Sequence, residues 1–461
     1  MLSPSAGPTP NLLDPVQQAE PLCKCDPRHI NFRGAKAGYW FRDRHLDSLQ
    51  DRLHARSVID DVELLIAGGG LVGLLLGATC GGAGLSVAVV DPQNPEASLG
   101  DPFDGRTSAI AAGSRNVLHA IGVWAEVTDD AEPILEIRVA DDNSPLFLHY
   151  DHRELGGNEP LGYIVENRVL RRVLLERLKS IPNLVLLAPL TVSAVARTAL
   201  GATALLSDGR QIKGRLVTAA DGQRSPLRRD AGIRSVELQY RQIGIVTVAR
   251  HERPHRGIAV EHFLPAGPFA ILPMVGNRSS IVWTERAELA PQLIALSDSD
   301  FSQELAARFG DFLGDIEPMG PRWSYPLSLS LAEQYVAPRL ALVGDSAHVI
   351  HPIAGQGLNL GIRDVASLSE LLIDARRLGL DIGDGSILRR YERWRRFDAL
   401  ALAAVTHGLN RLFSNTIPLL QLSRDLGLTA VQRLPALKRL FMRDAMGIVG
   451  DLPRLARGEP L

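Results

Sequence analysis

Cysteine is scarce: the chain holds three in 461 residues, two of them close together at Cys23 and Cys25. That set cannot build a disulfide framework, and a reducing, cytoplasmic setting fits it. Cys23, Cys25 and His29 lack a second ligand pair, so no metal is expected there. Net charge is small as well, with 50 Lys and Arg against 52 Asp and Glu, so nothing in the balance calls for nucleic acid. No stretch suits a membrane span. The uncharged run at 64–90 is interrupted by Gly68, Gly69, Gly70, Gly73, Gly77, Gly81, Gly82 and Gly84 and reads as strand, turn, helix, strand. The opening MLSPSAGPTPNLL has neither a basic segment nor an apolar one, and no secretory signal is expected from it. Internal repeats and Cys-x-x-Cys redox pairs are also missing.

What is present is a glycine turn, Gly68-x-Gly70-x-x-Gly73, directly after the strand-like VELLIA and opening a helix, with Leu71 and Val72 between its glycines also taken as cofactor-binding candidates. Such a turn lets backbone approach a pyrophosphate, with the partial positive charge of a helix N-terminus behind it. Asp91 ends the next strand about twenty residues on, where a carboxylate can accept hydrogen bonds from a ribose diol. This unit alone does not separate NAD from FAD. A second segment does: LALVGDSAHVIHPIAGQGLNLGIRD, residues 340–364. Asp345 closes a short strand, as a carboxylate for ribityl hydroxyls would, and Gly355-Gln356-Gly357 opens a helix. A helix N-terminus beside a flavin stabilises negative charge on the reduced ring. A third segment, LVTAADGQRSPLRRDAGI, places Asp221-Gly222 after a strand, with Ser225 and Arg228 on the turn. There is no second Gly-x-Gly-x-x-Gly for a permanent nicotinamide domain.

These three motifs, in this order over about 62–400, resemble the group A flavoprotein monooxygenases, the family of para-hydroxybenzoate hydroxylase. The resemblance narrows through DGRTSAI (104–110), LGYIVENRVL (161–170), AHVIHPIAGQGLNLGIRD (347–364) and the C-terminal YERWRR, THGLNRLFSN, RDLGL and LKRLFMRDAMGI. Together they are similar to the aromatic-ring hydroxylases of ubiquinone biosynthesis. The Trp-x-Trp-x-x-Ile-Pro signature of related flavin halogenases is missing. The resemblance implies an α/β fold: a Rossmann-type FAD-binding domain with an inserted antiparallel substrate-binding sheet and C-terminal helices. The expected organisation is a flexible extension at 1–57 with a short charged helix, the first part of the FAD domain at 58–235 interleaved with substrate-domain strands, the substrate sheet at 236–330, the FAD domain's return at 331–400, and a helical region at 401–461. The extension, Asp91 in place of a commoner glutamate, and Cys80-Gly81-Gly82 late in the first helix depart from the family pattern.

By the same resemblance Arg106 reaches the FAD phosphates, Glu166, Asn167 and Arg168 lie along the cofactor, and Gln356, Gly357 and Asn359 line the isoalloxazine. Asp221-Gly222 belongs to FAD and nicotinamide-cofactor binding. The implied activity is hydroxylation of a polyprenylated phenol through a flavin C4a-hydroperoxide, with O2 as co-substrate and NAD(P)H as transient reductant. His351, followed by Pro352 on the flavin-side loop, is the candidate base, with shaping of that loop as the other reading; no metal is expected there, since His348 and His351 lie on a loop with no carboxylate beside them. Apolar clusters at 408–448 interleave with Arg411, Arg424, Arg433, Lys438, Arg439 and Arg443, a pattern suited either to covering the core or to lying on the inner face of a membrane. A multi-enzyme ubiquinone-biosynthesis complex and a ferredoxin-like electron donor are compatible partners. Rival readings are a hydroxylase of a soluble aromatic and a non-catalytic FAD-bearing scaffold.

Overall fold

DVELLIA carries its charges only at the start, and its remaining side chains suit a strand covered on both faces. It forms β1 (Asp61–Ala67), the middle of the main sheet. The computed structural model describes residues 61–95, 97, 99, 105–141, 147–413 and 431–461. The extension with Cys23, Cys25 and His29, Asp104 of the Arg106 motif, and the segment with Pro418 and Arg424 lie outside the described residues.

Among the described residues nineteen strands and nine α-helices, numbered in chain order, build three sheets. In the first, β1 pairs in parallel with β2 (Val87–Val90), which pairs with β8 (Leu184–Leu187); on the other side lie β11 (Gln211–Ala219) and then β18 (Leu340–Leu342). Edge strands β9 (Val192–Arg197), β10 (Ala202–Leu206) and β17 (Val336–Ala337) complete it. Helices α1 (Leu71–Gly82), α3 (Asn167–Lys179) and α7 (Gly357–Arg377) pack together beside this sheet. Cys80-Gly81-Gly82 does not interrupt α1 but forms its last turn. A Cβ on Gly77 would stand 2.9 Å from Val89, and one on Gly81 3.1 Å from Ile181, so glycine lets the helix lie against β2 and β8.

The second sheet runs β19 (His348–Val349), β16 (Ile316–Ala332), β12 (Ser235–His251), β15 (Arg278–Arg286), β14 (Gly267–Met274), β13 (Ile258–Leu264), β5 (Glu136–Asp141), β6 (Phe147–Asp151). It is antiparallel except for the β13–β5 pair. Because side chains alternate along each strand, it has two distinct faces. Ile245, Phe269, Ile271, Ile281 and Trp283 point to one, covered by the sheet's own α5 (Ala290–Ile294) and α6 (Asp298–Phe309). The other carries Val248, Ala259, Phe263 and Met274. It meets the third sheet, made of β3 (Thr107–Ala111), β7 (Gly162–Glu166) and β4 (Ala131–Ile134), together with Ile353 and Phe413. Short helices α2 (Ala112–Ala120) and α4 (Pro226–Asp230), the long α8 (Gly385–Phe413), and α9 (Pro435–Ala445) finish the chain. Pro435 opens α9, since the missing N–H of a first-turn proline costs nothing there.

One buried ionic network ties these parts together. Asp364 on α7 is fully buried and accepts hydrogen bonds from Gly344 N (2.9 Å), His348 Nε2 (2.6 Å) and Arg395 Nε (2.9 Å). Burial works against its charge, but His348 and Arg395 outweigh it and hold the carboxyl below its usual range. His348 therefore does have a carboxylate beside it. The expectation otherwise fails because Asp364 lies sixteen residues on and only the turn into α7 brings it back. Removing one member of a buried pair strands the other charge. Asp364→Ala is expected to lower unfolding free energy by about 3–5 kcal/mol in urea titrations at neutral pH, and a loss of less than about 1 kcal/mol would show that the network is dispensable.

Candidate functional site

The parallel strands β1, β11 and β18 end side by side, with Ala67 opposite Ala219 and Ala219 opposite Leu342. The residues following each strand therefore converge on one edge: Gly68, then Asp221, then Asp345. An open crevice beyond the carboxyl ends of parallel strands is where such sheets bind ligands.

The glycines divide by what surrounds them. Gly68 has φ +109°, and a Cβ there would lie 2.2 Å from the Ala220 carbonyl oxygen; at Gly73 it would lie 1.9 Å from the Gly68 oxygen. Both are needed for the chain to close on itself. Gly70 and Gly357 are different: a Cβ on either meets nothing within 4 Å. Each stands at the start of a helix, α1 and α7, that no side chain caps. Two helix N-termini thus face open space where an anionic or electron-rich group can approach.

Asp91 is buried at the end of β2. Its Oδ2 accepts the Gly69 N–H, and its Oδ1 accepts the Gln93 N–H at 2.8 Å, so it braces the turn it adjoins. Val72 fills the space left by Gly344 and Gly361, where added Cβ atoms would stand 3.2 and 2.7 Å from it, locking α1 onto α7; Leu71 packs partly buried at the edge of the same core. Asp221 is half-buried. Its Oδ2 accepts the Leu227 N–H at 3.3 Å, its Oδ1 is buried without a partner among the described residues, and burial raises its pKa. Gly222, at φ +82°, makes the turn that follows it. Arg228 is buried behind, donating to Ser346 O (2.7 Å) and Gln223 O (2.8 Å), and so pins the Asp221 loop to the Asp345 loop. Asp345 itself is exposed to water, yet crowding by protein pushes its carboxyl up against the opposing charge of His348. Both facts hold for a group that borders open space from a crowded loop.

Around the crevice, Arg106 is exposed, and its carbonyl accepts the Asn167 N–H at 2.9 Å. The Asn167 side chain accepts from Ser108 Oγ at 2.6 Å. Glu166 is paired with Arg168 (2.7 Å) and Arg278 (3.3 Å). Arg171, one turn further along α3 and missed by sequence reasoning, donates to the Gly69 carbonyl at 2.8 Å and keeps a buried, unpartnered Nε. Asn359 is buried as a clamp between β3 and α7: it accepts the Ala111 N–H (2.9 Å) and donates to Ala109 O (2.8 Å) and Gly355 O (3.1 Å). Gln356 is also buried and donates to Ala445 O at 3.2 Å. Gly355, at φ +61°, has Ala109 2.9 Å from where its Cβ would be.

His351 has no exposed surface. Its Nδ1 accepts the Ile353 N–H at 3.4 Å across Pro352, its Nε2 is buried without a partner among the described residues, and its ring meets Tyr240 edge-on at 5.1 Å. Tyr240 Oη lies 3.1 Å from His407 Nδ1. Burial first, and the nearby His407 second, lower the His351 pKa to about 4, so the imidazole is neutral at neutral pH. The one acidic and His cluster among the described residues with metal-like spacing, Glu136, His149 and Asp151, is already neutralised by Arg138 and Arg153.

These residues fit FAD. The cradle at Gly70, the orphaned polar atoms of Asp221, Arg171 and His351, and the enclosed but water-reachable Asp345 are what a long polar cofactor with an apolar ring would fill. The fold and crevice define a flavoprotein monooxygenase. Residues 61–404 match the FAD binding domain family, and the chain belongs to it, within the branch of ubiquinone-biosynthesis hydroxylases. The chain is 54% identical to the ubiquinone hydroxylase UbiL of Rhodospirillum rubrum over 402 residues, 87% of this chain and 93% of that one. It is 35% identical to the 3-demethoxyubiquinol 3-hydroxylase of Escherichia coli, covering 84% of this chain and 98% of that protein. Its backbone is similar to the p-nitrophenol 4-monooxygenase PnpA from Pseudomonas putida, with a TM-score of 0.70 at 20% identity, covering 84% of this chain and 98% of that one.

The two glycine environments give opposite expectations. Gly70→Ala should leave apoprotein stability within about 1 kcal/mol and weaken FAD binding at least tenfold, about 1.4 kcal/mol, measured by flavin fluorescence. Gly73→Ala should instead destabilise the apoprotein itself by at least about 1–3 kcal/mol. Equal behaviour of the two variants would contradict the division.

Proposed function

We propose that this chain hydroxylates the aromatic ring of a polyprenylated phenol in ubiquinone synthesis. It uses FAD, O2 and NAD(P)H as the transient reductant. FAD, when bound, activates dioxygen for transfer of one oxygen atom to an electron-rich ring. The protein's own residues do the rest. The Gly70 backbone and the α1 N-terminus hold the pyrophosphate, Asp91 the ribose, Arg106 the phosphates and Asp345 the ribityl chain. Glu166, Asn167, Arg168, Asp221 and Gly222 border the cofactor, and Gln356 and Gly357 bring the α7 N-terminus to its ring, with Asn359 clamping that loop to β3. The neutral His351 and Pro352 shape the flavin-side loop.

The observation that carries this reading is the crevice's second wall. There the inner face of the second sheet reaches the flavin-side loop, Phe263 clustering with Ile353 and Ala259, Leu272 and Met274 with Ala109 of β3, an apolar neighbourhood suited to an aromatic ring and the first part of a lipid tail. Water exclusion by that face favours oxygen transfer to the ring. A lipidic substrate also fits an enzyme that rests on a membrane. No described helix is long and apolar enough to cross one. On α9 and its approach, however, Leu434, Leu440 and Phe441 are exposed beside Arg433, Arg439 and Arg443. Lys438 does not belong to that basic surface: it is buried and paired with Glu154 at 2.6 Å. This surface supports peripheral attachment to the inner face of a membrane, alone or within a biosynthetic complex.

Deleting the gene in the source cells should make a prenylated precursor lacking one hydroxyl accumulate in lipid extracts analysed by mass spectrometry. An unchanged quinone pool, with no second hydroxylase present, would contradict the substrate assignment.

A further inference from the structure

Along β13 the inner face of the second sheet is apolar with one exception. Glu261 sits in the middle of β13, between Ala259 and Phe263, and alternation along the strand turns its side chain to the same face as theirs. Ala259 belongs to the cluster that reaches Ala109 on β3, and Phe263 to the cluster that includes Ile353 on the flavin-side loop. Gly355, two residues beyond Ile353, stands against Ala109. Glu261 is thus flanked on both sides by residues that close around the flavin-side loop. In register it pairs with Ala270 on β14 and Val139 on β5, neither of which offers a polar partner.

Among the described residues no hydrogen bond or ion pair is recorded for its carboxylate. Glu261 is only half-buried, so water-sized molecules reach it, yet burial alone pushes its pKa up to about 7. The titratable and charged groups on the elements packed against this face include Tyr150 on β6, His351 on the flavin-side loop, and His407 and Arg411 on α8. His262 on its own strand is the other neighbour. None of these contributes to the shift. An unpaired carboxylate in such a place costs stability whenever it is charged, and an apolar or amide side chain would fill the same space more cheaply. A structural role does not explain it.

We propose that Glu261 is the acid–base residue of the substrate site, taking the phenolic proton as the ring is hydroxylated. This rests on the phenol reading above. The hydroxyl proton passes to the carboxylate, giving a phenolate oxygen, which makes the ring more electron-rich, and a neutral carboxylic acid. When the hydroxylated ring regains aromaticity, the ring C–H proton leaves to water and the acid returns its proton to the ring oxygen, restoring the carboxylate. A group that changes protonation near neutral pH is suited to both steps. His351, with its pKa near 4 and no exposed surface, is suited to neither.

The test compares wild type, E261Q and E261D as FAD-loaded protein in detergent micelles, with NAD(P)H, air and ortho-farnesylphenol as probe, scoring hydroxylated product against pH. E261Q should lose product formation by at least about a hundredfold and lose the limb that rises through about pH 7. E261D should keep a limb at reduced rate. FAD content should be equal in all three. A second readout needs no turnover. Because the folded pKa stands above the ordinary 4.5, the charged form is disfavoured in the folded state. Wild-type apoprotein should therefore lose thermal stability as pH rises from about 4.5 through about 7, and E261Q should not. Product formation by E261Q within threefold of wild type, with the same limb, overturns the proposal; so does a variant that loses FAD and fold together with activity. If wild type itself leaves the phenol unchanged, the failure lies with the substrate reading beneath it.

Discussion

Everything in this molecule depends on how closely three strand ends approach a turn that has no room for side chains. Gly68 lies against Ala220, Gly73 against Gly68, and Gly344 and Gly361 against Val72. At each of these positions a methyl group would press on the neighbouring turn, strand end or helix. The close approach is what sets Gly70, Asp221 and Asp345 along one crevice edge, and it leaves Gly70 and Gly357 open where ligand would be. Steric exclusion thus defines the site by what it keeps empty.

Electrostatics then fixes the loops that steric packing brings together. Asp364, His348 and Arg395 hold the Asp345 loop from behind, and Arg228 ties it to the Asp221 loop. These buried groups, bonded to one another and to backbone carbonyls, are separate from the groups facing the crevice. Asp345, Asp221 and Glu261 are raised in pKa by burial, while Asp364 is lowered by its partners.

Much of the cofactor half was legible in the sequence because its signals are local. A glycine turn between strand and helix, and an acid one to three residues past a strand, can be recognised without knowing what packs nearby; Gly68, Gly70, Gly73, Asp91, Asp221 and Asp345 all belong to this kind. Arg171 was missed because its role depends on α3 lying over the Gly69 carbonyl, about a hundred residues earlier in the chain. The His348–Asp364 pair depended on a turn between a strand and a helix, and Lys438 looked like surface charge until Glu154 was brought to it. Glu261 is the clearest case. Within IAVEHFL it reads as one acid in an alternating strand, and which face it takes follows only from the pairing of β13 with β14 and β5.

The central claim is that one crevice, walled by the glycine edge and the inner face of the second sheet, holds both cofactor and ring. A crystal structure of the FAD-loaded protein with ortho-farnesylphenol tests it most directly. The account predicts the pyrophosphate over Gly70, the ribityl chain at Asp345, and the phenol between the flavin ring and Glu261. A phenol bound on the sheet's outer face beneath α5 and α6, or a flavin lying away from Asp345, would contradict it.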